Sequence, residues 1–332
     1  MEFISEMDVE KAAKIIKEGG LVAFPTETVY GLGSDAFNVR ALARIFEVKN
    51  RPFFDPLIIH IADYDSIFRI ADYDALGFAS KEKIKQLTVK FWPGPLSLVL
   101  PKKKELPDLA TAGLPCAAIR FPSHEIAQSL IRLSTGAIAA PSANPFGFLS
   151  PTRAEHVKAQ LGGKVDCILD SGRTSLGLES TVLDLSSSIP CILRHGGITK
   201  EAIEDIIGEV VENPHNGNQY AAGTASSPGL LKNHYAPKTP LVLCSRKEMP
   251  GNSLNENEGC LYFSKMPDGL KGLKCVKLLS EKEDLNEAAA NLFDMLHELD
   301  NMGLSIIYAE KVPDHGLGRA INDRLYKAGG SK

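Results

Sequence analysis

The sequence predicts an α/β protein in two parts: a mixed, twisted open sheet with helices, then a linker, then a smaller Rossmann-like parallel α/β domain. Three observations carry that expectation. Short apolar runs such as Leu21–Phe24, Leu57–Ile61 and Ala137–Ala140 mix with amphipathic stretches without a regular βαβ period, which favours an open mixed sheet over a barrel. Residues 212–240 lose apolar periodicity and gather Asn213-Pro214, Gly217, Gly223, Ser226-Ser227-Pro228-Gly229 and Ala236-Pro237, the punctuation of a linker. Beyond it, strand-like and helix-like segments alternate, as a parallel sheet requires. The expected division is therefore 1–211, linker 212–240 and 241–332.

Each element has a local reason. Asp8 is placed to cap a helix with Val9, Ala12, Ala13 and Ile16 on one face and Gly19 as its stop. Strand Leu21–Phe24 ends at Pro25, which has no N–H for a ladder. Thr26-Glu27-Thr28 and Tyr30 follow at once, then a Gly31-x-Gly33 turn. Asn38 caps a helix through Leu42, Ile45 and Phe46 to Lys49, and Pro52 and Pro56 stiffen the loop before strand Leu57–Ile61. A helix capped by Ser80 runs to Trp92 and halts at Pro93-Gly94-Pro95. Strands Leu96–Leu100 and Ala117–Phe121, a helix capped by Ser123, and strand Ala137–Ala140 come next. Thr152 and Glu155 have capping-box spacing before a helix stopped by Gly162-Gly163. Strands Cys167–Leu169, Thr181–Leu185 and Cys191–Leu193 precede a helix capped by Thr199. In the second part Leu241–Leu243, Cys260–Phe263 and Leu304–Tyr308 are strands, with helices through Leu285–Leu299 and Gly318–Leu325.

Composition narrows the class. Apolar content of 44% and charged content of 23% are ordinary globular values. Residues 1–199 hold 22 of the 37 Lys+Arg and 22 of the 41 Asp+Glu, leaving 15 against 19, so the net charge of −4 lies in the second part. Neither part is a basic nucleic-acid module, and any RNA contact would need a local patch such as Lys102-Lys103-Lys104. The six cysteines have no close pair, which suits neither a zinc site nor a disulfide framework and points to reduced thiols in a cytoplasmic protein. Met1 to Asp8 is acidic without an apolar core, unlike a signal peptide, and no apolar run reaches membrane-spanning length.

Polar side chains crowd three strand ends: Thr26/Glu27/Thr28, Ser142/Asn144 and Glu179/Ser180. Such groups are costly at the end of a buried strand unless something binds them. Arg120 sits among Ala117, Ala118, Ile119 and Phe121, so its guanidinium needs a carboxylate or phosphate. An internal ion pair would suffice for Arg120 alone. With Lys49-x-Arg51 and Arg194 at comparable places, an anionic ligand is favoured. Other features have ordinary explanations: His60 as a core histidine, Ser142 and Asn144 as turn formers, Tyr235 as an anchor for the linker. Gly31-x-Gly33-x-x-Ala36, with Asp55 beyond it, imitates a dinucleotide fingerprint, but the tight strand–turn–helix order is missing. Walker A and Gly-x-Ser-x-Gly sequences are absent too. Composition and spacing reach an anion-binding cleft and leave the reaction open.

The motifs take the reading further. PTETVYGLG at 25–33, KNRPFFDPLIIHI at 49–61, FWPGPLSLVL at 91–100, AIRFP at 118–122, APSAN at 140–144 and ESTV at 179–182 together resemble the YrdC-domain family. SPGLLKNHYAP at 227–237 and the second domain resemble its two-domain long form, the threonylcarbamoyl-AMP synthases. The resemblance implies a YrdC-like first domain and a reaction of L-threonine, bicarbonate and ATP that yields threonylcarbamoyl-adenylate and pyrophosphate. Mg²⁺ would assist, held mainly by the ATP phosphates. A partner transferase would then modify the adenosine beside the anticodon of tRNA, with direct tRNA contact an open matter. It further implies threonine-binding positions at Thr28, His60, Arg120, Ala140 and Ser180. Nucleotide positions fall at Lys49, Arg51, Asp55, Cys116, Ser142, Asn144, Ser150, Arg194 and Tyr235, with Lys49, Arg51 and Arg194 as the catalytic cations. At Cys116 and Ala140 only the backbone could contribute specifically. Asp55 stands where many relatives have Asn, and an acid beside phosphates would repel them unless Mg²⁺ or Arg51 offsets it. The linker would lie over the cleft. The competing class is an RNA-binding or regulatory module that keeps the fold without the activity.

Overall fold

A computed structural model describes the backbone of residues 2–4 and, with side chains, residues 8–212 and 235–329. Chain order is β1 (Glu2–Ile4), α1 (Val9–Lys17), β2 (Val22–Phe24), β3 (Gly31–Asp35), α2 (Val39–Lys49), β4 (Ile58–Ile61), α3 (Ile67–Ile70) and α4 (Phe78–Phe91). Then come β5 (Leu96–Pro101), β6 (Cys116–Arg120), α5 (Glu125–Leu133), β7 (Ala137–Ala139), α6 (Ala154–Leu161), β8 (Cys167–Leu169), β9 (Thr181–Asp184), β10 (Cys191–Arg194), α7 (Lys200–Ile207) and β11 (Val211–Glu212). The second domain contributes β12 (Leu241–Cys244), β13 (Glu258–Tyr262), β14 (Val276–Leu278), α8 (Leu285–Asp300), β15 (Ile306–Glu310) and α9 (Leu317–Gly329).

The first domain is one eleven-stranded mixed sheet in the order β1-β8-β2-β3-β7-β4-β6-β5-β9-β10-β11. The second is all parallel, β12-β15-β13-β14. Both architectures match the expectation from sequence. Parallel pairing of β4 with β6 sets His60 opposite Arg120. Antiparallel β5 begins beside the end of β6, with Ser97 opposite Arg120, and parallel β9 sets Leu96 opposite Thr181. The ends of β4 and β6 and the starts of β5 and β9 therefore meet at one place in the sheet.

Local expectations fared unevenly. Asn38 caps α2 by accepting from the amides of Arg40 and Ala41, and Thr199 caps α7 by accepting from Ala202 N. Asp8 precedes α1 without a side-chain cap bond. Ser80 lies inside α4, whose N-cap is Gly77, and Ser123 yields the cap of α5 to His124. The Thr152/Glu155 box does not form, because Arg153 is the N-cap of α6. Gly31-x-Gly33 is not a turn but the body of β3, antiparallel to β2. A Cβ on Gly33 would lie 2.7 Å from Ile138 Cγ2 and 2.8 Å from Phe24 Cε1, so the glycines answer to packing across the sheet. Strands β11, of two residues, and β14, of three, were not read from the sequence. Most of the expected linker, residues 213–234, lies outside the described residues.

One apolar core, from Leu21 to Val210, belongs wholly to the first domain. The core of the second domain is joined by Val29, Leu149 and Leu178 from the first. The domains also share polar bonds: Arg153 donates to both Asp294 oxygens at 2.7 and 3.1 Å, and His297 Nε2 donates to Ser150 O at 3.1 Å.

Candidate active site

The strand ends surround a cavity whose wall includes Thr26, Thr28, His60, Arg120, Ala140 and Ser180. Arg51, Ser142, Glu179, Arg194 and Tyr235 line it as well. All of these residues are buried except Ser142, which is half-buried. All five positions matched to threonine lie on this wall.

Each side chain there is oriented by a local bond. The Thr26 hydroxyl donates to Val29 O at 2.7 Å, so at its 2.7 Å contact with Thr28 Oγ1 it accepts and Thr28 donates. Thr28 Oγ1 keeps its acceptor capacity. His60 Nδ1 lies 3.2 Å from Ile58 O, which can only accept, so Nδ1 carries the proton and Nε2 is an acceptor. Burial first, and Arg120 second, lower the His60 pKa to about 3, and the ring is neutral at physiological pH. Arg120 donates from Nε to Gly94 O at 3.3 Å and pairs with Glu27 at 2.8 Å. Glu27 was visible in sequence as strand-end punctuation but not as this partner. Ser180 Oγ lies 2.8 Å from Ser97 Oγ and accepts from Arg194 NH2 at 3.1 Å. Ala140 N is engaged by Ile58 O at 2.9 Å.

The cation group is tied into the same frame. Arg51 donates to Asp55 O at 3.0 Å and Pro56 O at 2.7 Å, and its NH2 pairs with the Asp55 carboxylate at 2.9 Å. Asp55 is fully buried; burial pushes its carboxyl up while Arg51 acts against that. The offset of Asp55 by Arg51 that the sequence required is thus present. Arg194 grips Ser180 O from Nε and NH2 at 3.1 and 2.9 Å. Tyr235 takes a left-handed φ of 64°, and burial pushes its hydroxyl up to about 12.

Five nucleotide-matched residues lie off the wall. Lys49 is 1% exposed and donates to Ser142 O and Asn144 O, bracing the turn that carries Ser142. Burial, then Arg51, hold its ammonium well below the ordinary lysine range. Asn144 donates to Pro145 O and Phe148 O, both at 2.9 Å. Ser150 donates to Glu179 Oε1 at 2.5 Å. Asp55 is closed behind Arg51, and half-buried Cys116 starts β6, packed against the apolar group of Ile58, Val99, Ala118, Val182 and Leu193. Sequence reasoning passed over Ser97 and Arg324. Arg324 could have been found, since it shares helical spacing with Leu317, Ala320, Ile321 and Ala328, all buried.

Residues 14–196 match the Sua5/YciO/YrdC family model, described as telomere recombination. Residues 198–330 match the model described as threonylcarbamoyl-AMP synthase, C-terminal domain. A threonylcarbamoyl-AMP synthase of Pyrococcus abyssi is 42% identical over 336 residues, covering 99% of this chain and 96% of the relative. The chain belongs to the threonylcarbamoyl-AMP synthase family. Other family members are similar along most of their length: that of Bacillus subtilis is 42% identical over 99% of this chain and 94% of its own, and that of Schizosaccharomyces pombe 34% identical over 96% and 88%. Among solved structures, P. abyssi Sua5 complexed with L-threonine superposes with a TM-score of 0.88 at 40% identity, covering 99% of this chain and 98% of that one. Escherichia coli YciO, at 22% identity and a TM-score of 0.51 over 59% of this chain and 95% of its own, shares the fold of the first domain. In this family the long form carries both matched regions, as here. Among the described residues no helix is long and apolar enough to cross a membrane, and no cysteine is in a disulfide.

Proposed function

We propose that this protein condenses L-threonine, bicarbonate and ATP into threonylcarbamoyl-adenylate with release of pyrophosphate. The observation that carries the reading is the convergence on one cavity wall of two kinds of group. His60, Arg120, Thr28, Ala140 and Ser180 suit a small zwitterion with a hydroxyl, and Arg51 and Arg194 suit a polyphosphate. The threonine carboxylate would meet Arg120, already balanced by Glu27, and neutral His60 would accept from the substrate's hydroxyl or ammonium. The ammonium would give a proton and bicarbonate a hydroxide, leaving together as water; the free amine would then take up the CO₂, losing a second proton to solvent, as a carbamate whose oxygen attacks the α-phosphorus while pyrophosphate leaves. Chemistry at phosphorus asks for positioning and charge stabilisation rather than a protein nucleophile. The Thr26, Thr28 and Ser180 hydroxyls fit that role, each being engaged by a neighbour rather than activated by a base.

Among the described residues no three His, Cys, Asp or Glu side chains converge to hold a metal. Mg²⁺ would be held mainly by the ATP phosphates, which commonly supply ligands to this ion. The product is a mixed anhydride, and a separate transferase would pass its threonylcarbamoyl group to the adenosine next to the anticodon.

The test is pyrophosphate release from ATP, which should require both L-threonine and bicarbonate. Serine lacks one methyl and should be disfavoured by about 1–3 kcal/mol rather than excluded. AMP should appear as the adenylate decays, without ADP. Turnover indifferent to bicarbonate would instead mark an amino-acid adenylating enzyme, and ADP with phosphate a kinase or ATPase.

A further inference from the structure

Glu179 is a carboxylate on the wall of a cavity that would receive phosphates, and it is only 5% exposed. Both of its oxygens are held from outside the cavity. Oε1 accepts from Ser150, and Oε2 accepts from Arg324 Nε at 2.9 Å. Arg324 comes from α9 in the second domain, and its side chain is completely buried. Its NH2 donates to His195 O at 2.9 Å, the carbonyl next in sequence to Arg194. Its NH1 meets Asp323 at 2.6 Å, and its guanidinium lies 4.9 Å from the centre of the Tyr235 ring. One side chain of the second domain thus reaches Glu179, the Arg194 segment and the end of the linker.

Burial works to raise the Glu179 carboxyl, yet Arg324 first and Arg194 second hold it below the ordinary range. Two cations therefore act on one buried carboxylate. Arg194 already grips the carbonyl of Ser180, the residue after Glu179. A Glu179 deprived of Arg324 would have Arg194 as its remaining cation, because a buried unpaired charge is strongly disfavoured.

We propose that Arg324 is a positioning residue: by neutralising Glu179 it keeps that carboxylate from drawing Arg194 away from the triphosphate. The second domain then completes the charge balance of a site built in the first. This rests on the nucleotide reading of Arg194.

The experiment is calorimetric titration of ATP into the full-length protein and its variants. R324M should weaken ATP binding at least about tenfold, the scale of a charge-assisted bond. R324M/E179Q should recover it to within about threefold, because no buried carboxylate is then left to compete. Rescue by removing the carboxylate is not expected of a residue that merely holds the helix in place. Unchanged affinity in R324M, or a double variant as weak as R324M alone, overturns the proposal. Should R324M fail to fold, the double variant decides by itself, being charge-balanced: folded without ATP binding, it counts against the proposal. R194A separates the two readings. If it leaves ATP affinity intact, the nucleotide role of Arg194 fails, whatever Arg324 does.

Discussion

His60 and His156 are kept neutral by their surroundings, burial being the largest influence on each, with pKa values of about 3. In the unfolded chain both would titrate near 6.5. Between those values the unfolded state binds more protons, so stability is full above about pH 6.5 and falls as pH drops through the window towards 3. Each histidine should remove about 1 kcal/mol between pH 7 and pH 5.5. Urea unfolding at the two values measures this, and H60Q should flatten the difference by about that amount. An unaltered difference in H60Q would show that the ring titrates normally in the folded protein. At this scale much of the site was readable. A guanidinium inside an apolar run must be satisfied, so Arg120 stood out, whereas His60 read as an ordinary core histidine and entered the site only through the family motif. Glu27 was harder, because its partner lies 93 positions away and no local pattern joins them.

At the scale of elements, glycine misled. Gly31 and Gly33 carry the usual mark of a turn, but in β3 they make room for the Phe24 ring of the neighbouring strand. Gly33→Ala should destabilise the protein by about 1–3 kcal/mol, since its Cβ would overlap Phe24 and Ile138, both fully buried. Phe24 stands edge-on to His60 at 6.2 Å, so threonine affinity should fall with stability. Chemical denaturation together with threonine titration checks both, and a variant as stable as wild type would show that the strand can shift. Caps were legible at Asn38 and Thr199, which accept from the amides of their helices, while Asp8 holds the N-cap position of α1 without a side-chain bond. They were missed where the chain enters helix a residue or more away from the hydroxyl, as at Ser80, Ser123 and Thr152. Strand order was not legible at all, because it depends on crossovers rather than on any local sequence.

For the whole molecule, the division into two sheets followed from the loss of periodicity after residue 211, while the way the domains meet did not. Helical spacing marks Arg324 as buried, but not its partners Glu179 and His195, which lie 145 and 129 positions away. The docking surface mixes apolar and ionic contacts. Val29, Leu149 and Leu178 join the core of the second domain, His156 stacks on His297 at 3.8 Å, and Arg319 pairs with Glu201 at 2.5 Å. A fragment ending at Glu212 should still fold cooperatively, because the core from Leu21 to Val210 contains no residue of the second domain. It should also expose those three apolar side chains and leave Glu179 facing Arg194 without Arg324. The expectation is a folded fragment that binds ATP at least about tenfold more weakly than the full chain and forms no product. A thermal melt and an ATP titration decide between the alternatives. A fragment without a cooperative transition would mean that docking is part of the first domain's stability. One with full ATP affinity and synthase activity would make the second domain an accessory, removing it from the chemistry of the site.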